Sequence, residues 1–233
     1  MRVLGIETAT SICSVAVAQA QEVLAERWTG EQHVHSEKFI RLLMDVLAEV
    51  HLNLDDVDGI AVSVGPGSFT GLRIGLSAAK GLCHASGKPL IAVPTLDALV
   101  HRTIGVCHEG SVVCAVIDAK RDEVYSAWYE KRGQSMEKRS DYRVLLRDEF
   151  VKTLGSRSSV LVTGEDAERS LERLRVLRGG DGHLKGISVA PRELRRASAE
   201  PVALLGVSML KKGSTSDLAE IEPMYLKEFL ITR

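Results

Sequence analysis

The segment Gly65-Pro66-Gly67-Ser68-Phe69-Thr70-Gly71-Leu72-Arg73-Ile74-Gly75 places four glycines and two hydroxyls between an apolar run and a run of small residues. Glycines permit positive φ and close backbone approach. The free amides at the start of a helix hold anions, so a phosphate is the ligand that suits such a loop. The spacing is not that of a Walker A loop, because no Lys-Ser/Thr follows the last glycine. It is not GxGxxG, because Thr70 stands in place of the third glycine. Ser68 also lacks the flanks of a GxSxG nucleophile elbow. A tight turn with no ligand explains the same glycines, and both readings stay open. Thr8, in the hydroxyl-rich turn Thr8-Ala9-Thr10-Ser11, joins Gly67 and Ser68 as a candidate contact to a nucleotide or phosphate.

Other residue types that do chemistry have simpler explanations. His33-x-His35, with Glu31 and Glu37 close by, has the donors of a metal site. A solvated lead-in to a helix, capped by Ser36, accounts for it equally well. Asp97 and His101 stand four apart, the spacing of a helical surface pair. Asp118, Asp122 and Glu123 would suit a carboxylate site, but Lys120 and Arg121 between them describe a charged hairpin tip. Cys13, Cys83, Cys107 and Cys114 form no CxxC and sit in apolar runs, as buried thiols of a reducing compartment do. Between positions 169 and 196, eight basic residues (Arg169, Arg173, Arg175, Arg178, Lys185, Arg192, Arg195 and Arg196) face three acidic ones (Glu172, Asp181 and Glu193). That stretch could touch phosphates, but a solvated face is the simpler reading. No Ser/His/Asp, HExxH or Cys/His signature is present. No catalytic residue, metal ligand or cofactor is therefore assigned.

These residues need a frame to position them. The chain has 233 residues, room for one large domain or two small ones. Its net charge is −1, against the basic excess of a dedicated nucleic-acid binder. Aromatics make up 4 %, too few for a base-stacking platform. Glu7 interrupts the first apolar run, which excludes a signal peptide there. No 18-residue apolar run offers a membrane span, so a cytoplasmic protein is expected.

Strands are expected at Arg2–Glu7, Ile12–Ala18 and Val23–Trp28, joined too closely for a helix to intervene. A helix follows over Ser36–Val50, with Phe39, Leu43, Val46, Leu47 and Val50 on one face. The next strand, Asp58–Val64, leads through the glycine loop into a helix that stops at Gly87. Leu90–Val93 is a strand, and Thr95 caps a helix through Ile104. A second block begins near Gly105, with strands at Val112–Asp118 and Glu123–Lys131. Helices at Arg147–Leu154, Asp166–Leu177 and Glu200–Lys212 and a strand at Val160–Thr163 follow. The division expected is 1–105 and 106–233.

Two features point to a partner chain. Gly71, Gly75 and Ala79 recur every four residues, a face that lets another backbone come close. On the helix before it, Ile40, Leu42 and Met44 lie off the main apolar face, so that helix is apolar on most sides. Phe39, Leu43, Val46 and Leu47, with Gly71, Gly75 and Ala79, are the residues expected to form the interface.

Gly5-Ile6-Glu7-Thr8, His35-Ser36-Glu37, the glycine segment, Lys80-Gly81, Pro89–Leu99 and Asp118–Tyr125 together resemble the TsaB family. The match is strong over 1–130 and recognisable in Pro223-Met224-Tyr225-Leu226. The resemblance implies an α/β protein of the actin/Hsp70/sugar-kinase (ASKHA) fold, with two small lobes, each a mixed sheet flanked by helices. It implies a non-catalytic scaffold that binds TsaD, and TsaE through it, in forming threonylcarbamoyladenosine (t6A) at position 37 of tRNAs reading ANN codons. The partner helices would be the two described above. The same patch would self-associate as a homodimer when TsaD is absent, and tRNA would be met only through the complex. TsaD, the catalytic paralogue, carries a metal-binding His-x-x-x-His after the strand matching Leu90–Val93. Thr95 and Leu99 stand at those positions here, and neither suits a transition metal. The chain is also too short for that subunit's full second lobe. Glu7-Thr8-Ala9 departs from the Asp-Thr-Ser of most members. The competing classes are a small sugar-kinase-fold phosphotransferase or ATPase, and a glycoprotease-like peptidase.

Overall fold

The computed structural model describes residues 1–30, 35–157, 159–179, 184 and 186–227, with backbone alone at 35–37. The chain divides into two compact units. One comprises Met1–Ala98 and Ala197–Met224; the other comprises Leu99–Arg196 and the tail from Tyr225.

In the first unit, β1 (Arg2–Glu7), β2 (Cys13–Gln19) and β3 (Glu22–Thr29) form an antiparallel meander. α1 (His35–Glu49) then leads to β4 (Gly59–Gly65), which pairs parallel with β1. α2 (Phe69–Ser86) crosses to β5 (Leu90–Pro94), parallel to β4, giving the sheet order β3-β2-β1-β4-β5. Alternation along each strand sorts the two faces. Leu4, Ile6, Val15, Val17, Ile60 and Val62 meet Phe39, Leu43 and Val46 of α1 and Leu76, Ala79 and Cys83 of α2. Gly87 ends α2 in the left-handed region (φ 68°), its amide on the Cys83 carbonyl at 2.8 Å.

The second unit begins within α3 (Thr95–His101). β6 (Val112–Asp118) and β7 (Glu123–Arg132) form a hairpin extended by β8 (Ser135–Lys138), and β9 (Arg143–Leu146) also pairs with β7. α4 (Arg147–Gly155), β10 (Val160–Thr163), α5 (Ala167–Leu177) and β11 (Ile187–Val189) complete a sheet of order β11-β10-β6-β7-β8. Phe150, Val151, Leu154, Leu171 and Leu174 of α4 and α5 pack on Cys114, Val116, Val124, Val160 and Val162.

α6 (Ala199–Lys211) then returns to the first unit and corrects the division at residue 105. Its Ala199, Val202, Ala203 and Val207 cover Val3, Ala16, Ala18 and Ala61, on the sheet face opposite α1 and α2. Gly5 makes the approach: a Cβ there would lie 2.6 Å from the Ala199 carbonyl. The meander's apolar second face needs a cover, and α6 is the apolar helix that supplies it. The expected strands and helices are present with ends shifted by a few residues. β8, β9 and β11, of three or four residues each, carried too little pattern to be expected.

Candidate functional site

The β1–β2 turn lies directly on the glycine loop. The Glu7 carboxylate, 1 % exposed, accepts the Ala9 amide at 2.6 Å and the Ser63 hydroxyl. Thr8 Oγ1 donates to the Gly71 carbonyl at 2.8 Å. The Ser68 amide donates to the Ala9 carbonyl at 2.7 Å, while Ser68 Oγ caps α2 by accepting the Gly71 amide at 3.3 Å. A Cβ on Gly67 would stand 2.3 Å from the Ala9 carbonyl, one on Gly71 2.0 Å from the Thr8 carbonyl, and one on Gly75 2.1 Å from Thr8 Oγ1. The glycines therefore serve an approach made inside the chain. This corrects the expected phosphate contact at Thr8, while Gly67 stays half-buried and Ser68 exposed. Thr8 is fully buried, and its hydroxyl and the Ser68 amide both donate within the fold.

The expected interface is corrected by the same packing. Phe39, Leu43, Val46 and Ala79 are at most 7 % exposed and belong to the unit's own core; Gly71 and Gly75 are buried against Thr8. Leu47 is half-buried against the same cluster. The main apolar stripe of α1 faces its own sheet, as an amphipathic helix must. The apolar residues left outside it are Ile40 and Met44, one turn apart and 54 % and 64 % exposed. On α2, Ser77 and Gly81 are exposed, with Ala78 half-buried between them. A Cβ on Gly81 would meet nothing within 4 Å.

In the second unit, Arg147 is buried at the start of α4 and gathers carboxylates from three elements. Its Nε donates to Asp122 Oδ1 at 2.9 Å, its guanidinium lies 3.6 Å from Asp118, and it pairs directly with Asp166, which also accepts the Ser170 hydroxyl at 2.7 Å. Lys120 lies 3.0 Å from Asp118, whose pKa is lowered by the Lys120 and Arg147 cations against the opposing effect of burial. Asp118, Asp122 and Glu123 thus each face a cation, Lys227 being the partner of Glu123. The charged hairpin tip is the arrangement found. The basic stretch is similarly paired: Arg173 makes a fork on Asp148 at 2.6 and 2.7 Å, Arg175 reaches Glu172, Arg195 reaches Glu168, and Arg178 caps the Gly155 carbonyl at 2.5 Å. Lys185 and Asp181 lie outside the described residues.

The chain was compared with known proteins. A family model described as "TsaD: tRNA N6-adenosine threonylcarbamoyltransferase" matches residues 23–155. The Haemophilus influenzae tRNA threonylcarbamoyladenosine biosynthesis protein TsaB is 30 % identical over 97 % of this chain and 94 % of its own length. The chain belongs to the TsaB family. A Pseudomonas aeruginosa crystal structure, described by its similarity to the peptidase YeaZ, superposes with a TM-score of 0.81 at 26 % identity, covering 97 % of this chain and 99 % of that one. A ROK hexokinase from Thermus thermophilus, TM-score 0.50 at 12 % identity over 91 % and 100 % of the chains, shares the fold alone. With two mixed sheets flanked by helices, this TsaB-family chain has the ASKHA-like fold.

Thr95 and Leu99 of this TsaB-family member are both 1 % exposed. Thr95 begins α3, but its Oγ1 has no hydrogen-bond partner among the described residues, so it is not the expected cap. Burial lowers the pKa of His101, the last residue of α3. Among the described residues, no three His, Cys, Asp or Glu side chains cluster as a metal site would require. His33 and Glu31 lie outside the described residues, as do the side chains of His35 and Glu37. The four cysteines are free and buried. Burial pushes Cys13 and Cys83 up to about 11 and raises Cys107 and Cys114 as well, so all four stay as unreactive thiols. Among the described residues, no helix is long and apolar enough to cross a membrane. Sequence reasoning missed Arg147 and Asp166, because Arg147's partners stand 19 to 29 positions away in the chain and share no motif with it.

Proposed function

We propose that this chain is a non-catalytic cytoplasmic partner of a TsaD protein in the biosynthesis of threonylcarbamoyladenosine at position 37 of tRNAs reading ANN codons. It holds TsaD in place, brings TsaE to the assembly through TsaD, and meets tRNA only within that assembly. The full-length likeness to a TsaB biosynthesis protein supports the pathway. Thr95 and Leu99 support a role without catalysis, since neither side chain can replace a metal-binding histidine.

The observation that carries the pairing is the outer face of α1 and α2. Ile40 and Met44 remain exposed there, and among the described residues nothing comes within 4 Å of where a Gly81 Cβ would stand. A glycine inside a helix costs about 1 kcal/mol, a cost offset when another helix comes close. A second helix pair fits this face, from TsaD or, when the chain is alone, from a second copy of itself. Exposed apolar surface of this kind marks an interaction site.

The test is Met44→Asp. Because Met44 is exposed, the variant should fold and melt as the wild type does. It should lose at least about 30-fold in affinity for the cognate TsaD, equivalent to 2 kcal/mol, and fail to support modification in a reconstituted assay. Wild-type affinity would place the contact elsewhere.

A further inference from the structure

The tail motif Pro223-Met224-Tyr225-Leu226 is distant in sequence from the glycine segment, yet Met224 lies directly on it. The Met224 amide donates to the Val64 carbonyl, near the end of β4, at 2.7 Å. The next residue, Gly65, has φ 116°, a conformation open to glycine and strained for other residues. A Cβ on Gly65 would stand 2.7 Å from the Met224 carbonyl and 3.3 Å from the Met224 Cβ. The first glycine of the segment therefore makes room for the tail, as Gly67 and Gly71 make room for the β1–β2 turn.

The loop that starts α2 is thus held by two distant segments. One is the β1–β2 turn, through the Ser68 amide on the Ala9 carbonyl and Thr8 Oγ1 on the Gly71 carbonyl. The other is Met224. Their support differs. The turn joins two strands that pair along their whole length. The tail is fastened as far as Ile221: the Ser216 amide donates to the Leu90 carbonyl at 2.8 Å, and Leu218 and Ile221 pack on the core of the unit. Residues 221–226 form neither helix nor strand. Backbone without a ladder opens locally at low cost, so the Met224 contact can open while the unit stays folded.

We propose that Met224 is a positioning residue for α2. Its amide, closed on Val64, fixes the loop from which α2 starts, and through that helix the outer face of α1 and α2. The proposal rests on the reading of that face as the TsaD contact, and gives it a point of control inside the chain. Leverage makes the effect large. Gly81 lies ten residues beyond Gly71, about 15 Å along the helix, so a tilt of about 5° at the first turn moves it by about 1 Å. Interface cores are packed as densely as protein interiors. A gap of about 0.5–1 Å forfeits roughly a quarter to a half of the attraction between facing atoms.

The experiment compares the full-length wild type with Met224→Pro, which lacks the donating amide, and Met224→Leu, which keeps it. Gly65→Ala displaces the same contact from the other side. Hydrogen exchange, the melting midpoint and affinity for the cognate TsaD are measured for each. Met224→Pro should quicken exchange of the Ser68, Gly71 and Leu72 amides by about tenfold or more, and weaken TsaD binding by about tenfold or more. Its midpoint should stay within about 3 °C of wild type, because the opening is local. Met224→Leu should match wild type in all three. Gly65→Ala should reproduce the faster exchange and the weaker binding, and adding Met224→Pro to it should cost no further affinity, since both changes act through one contact. Affinity lost without a matching loss of stability is what a merely structural residue does not give. The proposal is overturned if Met224→Pro leaves exchange at the start of α2 unchanged, or binds TsaD within twofold of wild type. It is overturned as well if that variant loses its cooperative melting transition, which would assign the contact to folding, or if Met224→Leu is equally damaging, which would assign the effect to the side chain. Wild type that does not bind TsaD defeats the proposed function; the exchange measurement needs no partner and still decides whether Met224 positions α2.

Discussion

Gly71, Gly75 and Gly81 lie on one helix in different surroundings, and the differences set an order of mutational effects. A Cβ on Gly71 would meet the Thr8 backbone carbonyl, which cannot rotate away; one on Gly75 would meet the Thr8 hydroxyl, which can move only by giving up its bond to the Gly71 carbonyl. Overpacking a buried site costs about 1–3 kcal/mol, against about 1 kcal/mol recovered in helix propensity. Gly71→Ala should therefore destabilise the chain most and Gly75→Ala by up to about 2 kcal/mol. Gly81→Ala meets open space and should stabilise the isolated chain by about 0.5–1 kcal/mol. Urea denaturation of the three variants checks the order. Equal effects at all three positions would mean that the turn yields more readily than its packing indicates. A charged residue at Gly75 tests folding, not partner binding, because that position faces Thr8.

At the scale of elements, α6 is fastened by its first turn. The carboxylate of Glu26 on β3 accepts the Ser198 hydroxyl at 2.5 Å and the amides of Ala199 and Glu200 at 3.1 and 3.3 Å. Ser14 of β2 donates to the same oxygen at 2.7 Å and accepts the Ala199 amide at 3.0 Å. An anion at a helix N-terminus satisfies orphan amides and opposes the positive end of the dipole. Glu26→Gln keeps an acceptor but removes the charge, and should cost about 1–2 kcal/mol of stability. Hydrogen exchange should quicken first in the amides of α6. A uniform increase across the unit would show that the clamp is not local to that helix.

For the whole molecule, the return of residues 197–224 means that the first unit cannot be completed by the first hundred residues. Without α6, one face of its sheet, with Val3, Ala16, Ala18 and Ala61, is bare. Burial of Val202 and Val207 alone contributes about 3–6 kcal/mol, a large part of the 5–15 kcal/mol that holds a typical domain folded. A chain ending at residue 196 should therefore lack a cooperative melting transition in its first unit. A separate peptide of residues 197–224 should restore that transition. A sharp transition without the peptide would show that the remaining contacts suffice.

What could be read from the residues alone was whatever depends on near neighbours in the chain. Alternation in Ile12–Ala18, the 3.6-residue stripe from Phe39 to Val50 and the stop at Gly87 are local signals, and all three elements are present. The family was legible for the same reason, because its motifs are short contiguous strings. The direction each stripe faces was not local. Phe39, Leu43 and Val46 read equally well as core or as interface, because an apolar face is buried by whichever surface meets it. Only the sheet beneath α1 decided that these three are internal and that Ile40 and Met44 remain outside. The glycine loop carried the same ambiguity, since close approach is required by a phosphate and by a neighbouring turn alike; the contact with Thr8 and Ala9, about sixty residues away, accounts for the glycines inside the chain. Part of the charge excess of 169–196 is paired for a related reason. Asp148, the counter-ion of Arg173, lies outside that window and is brought to it by the packing of α4 on α5.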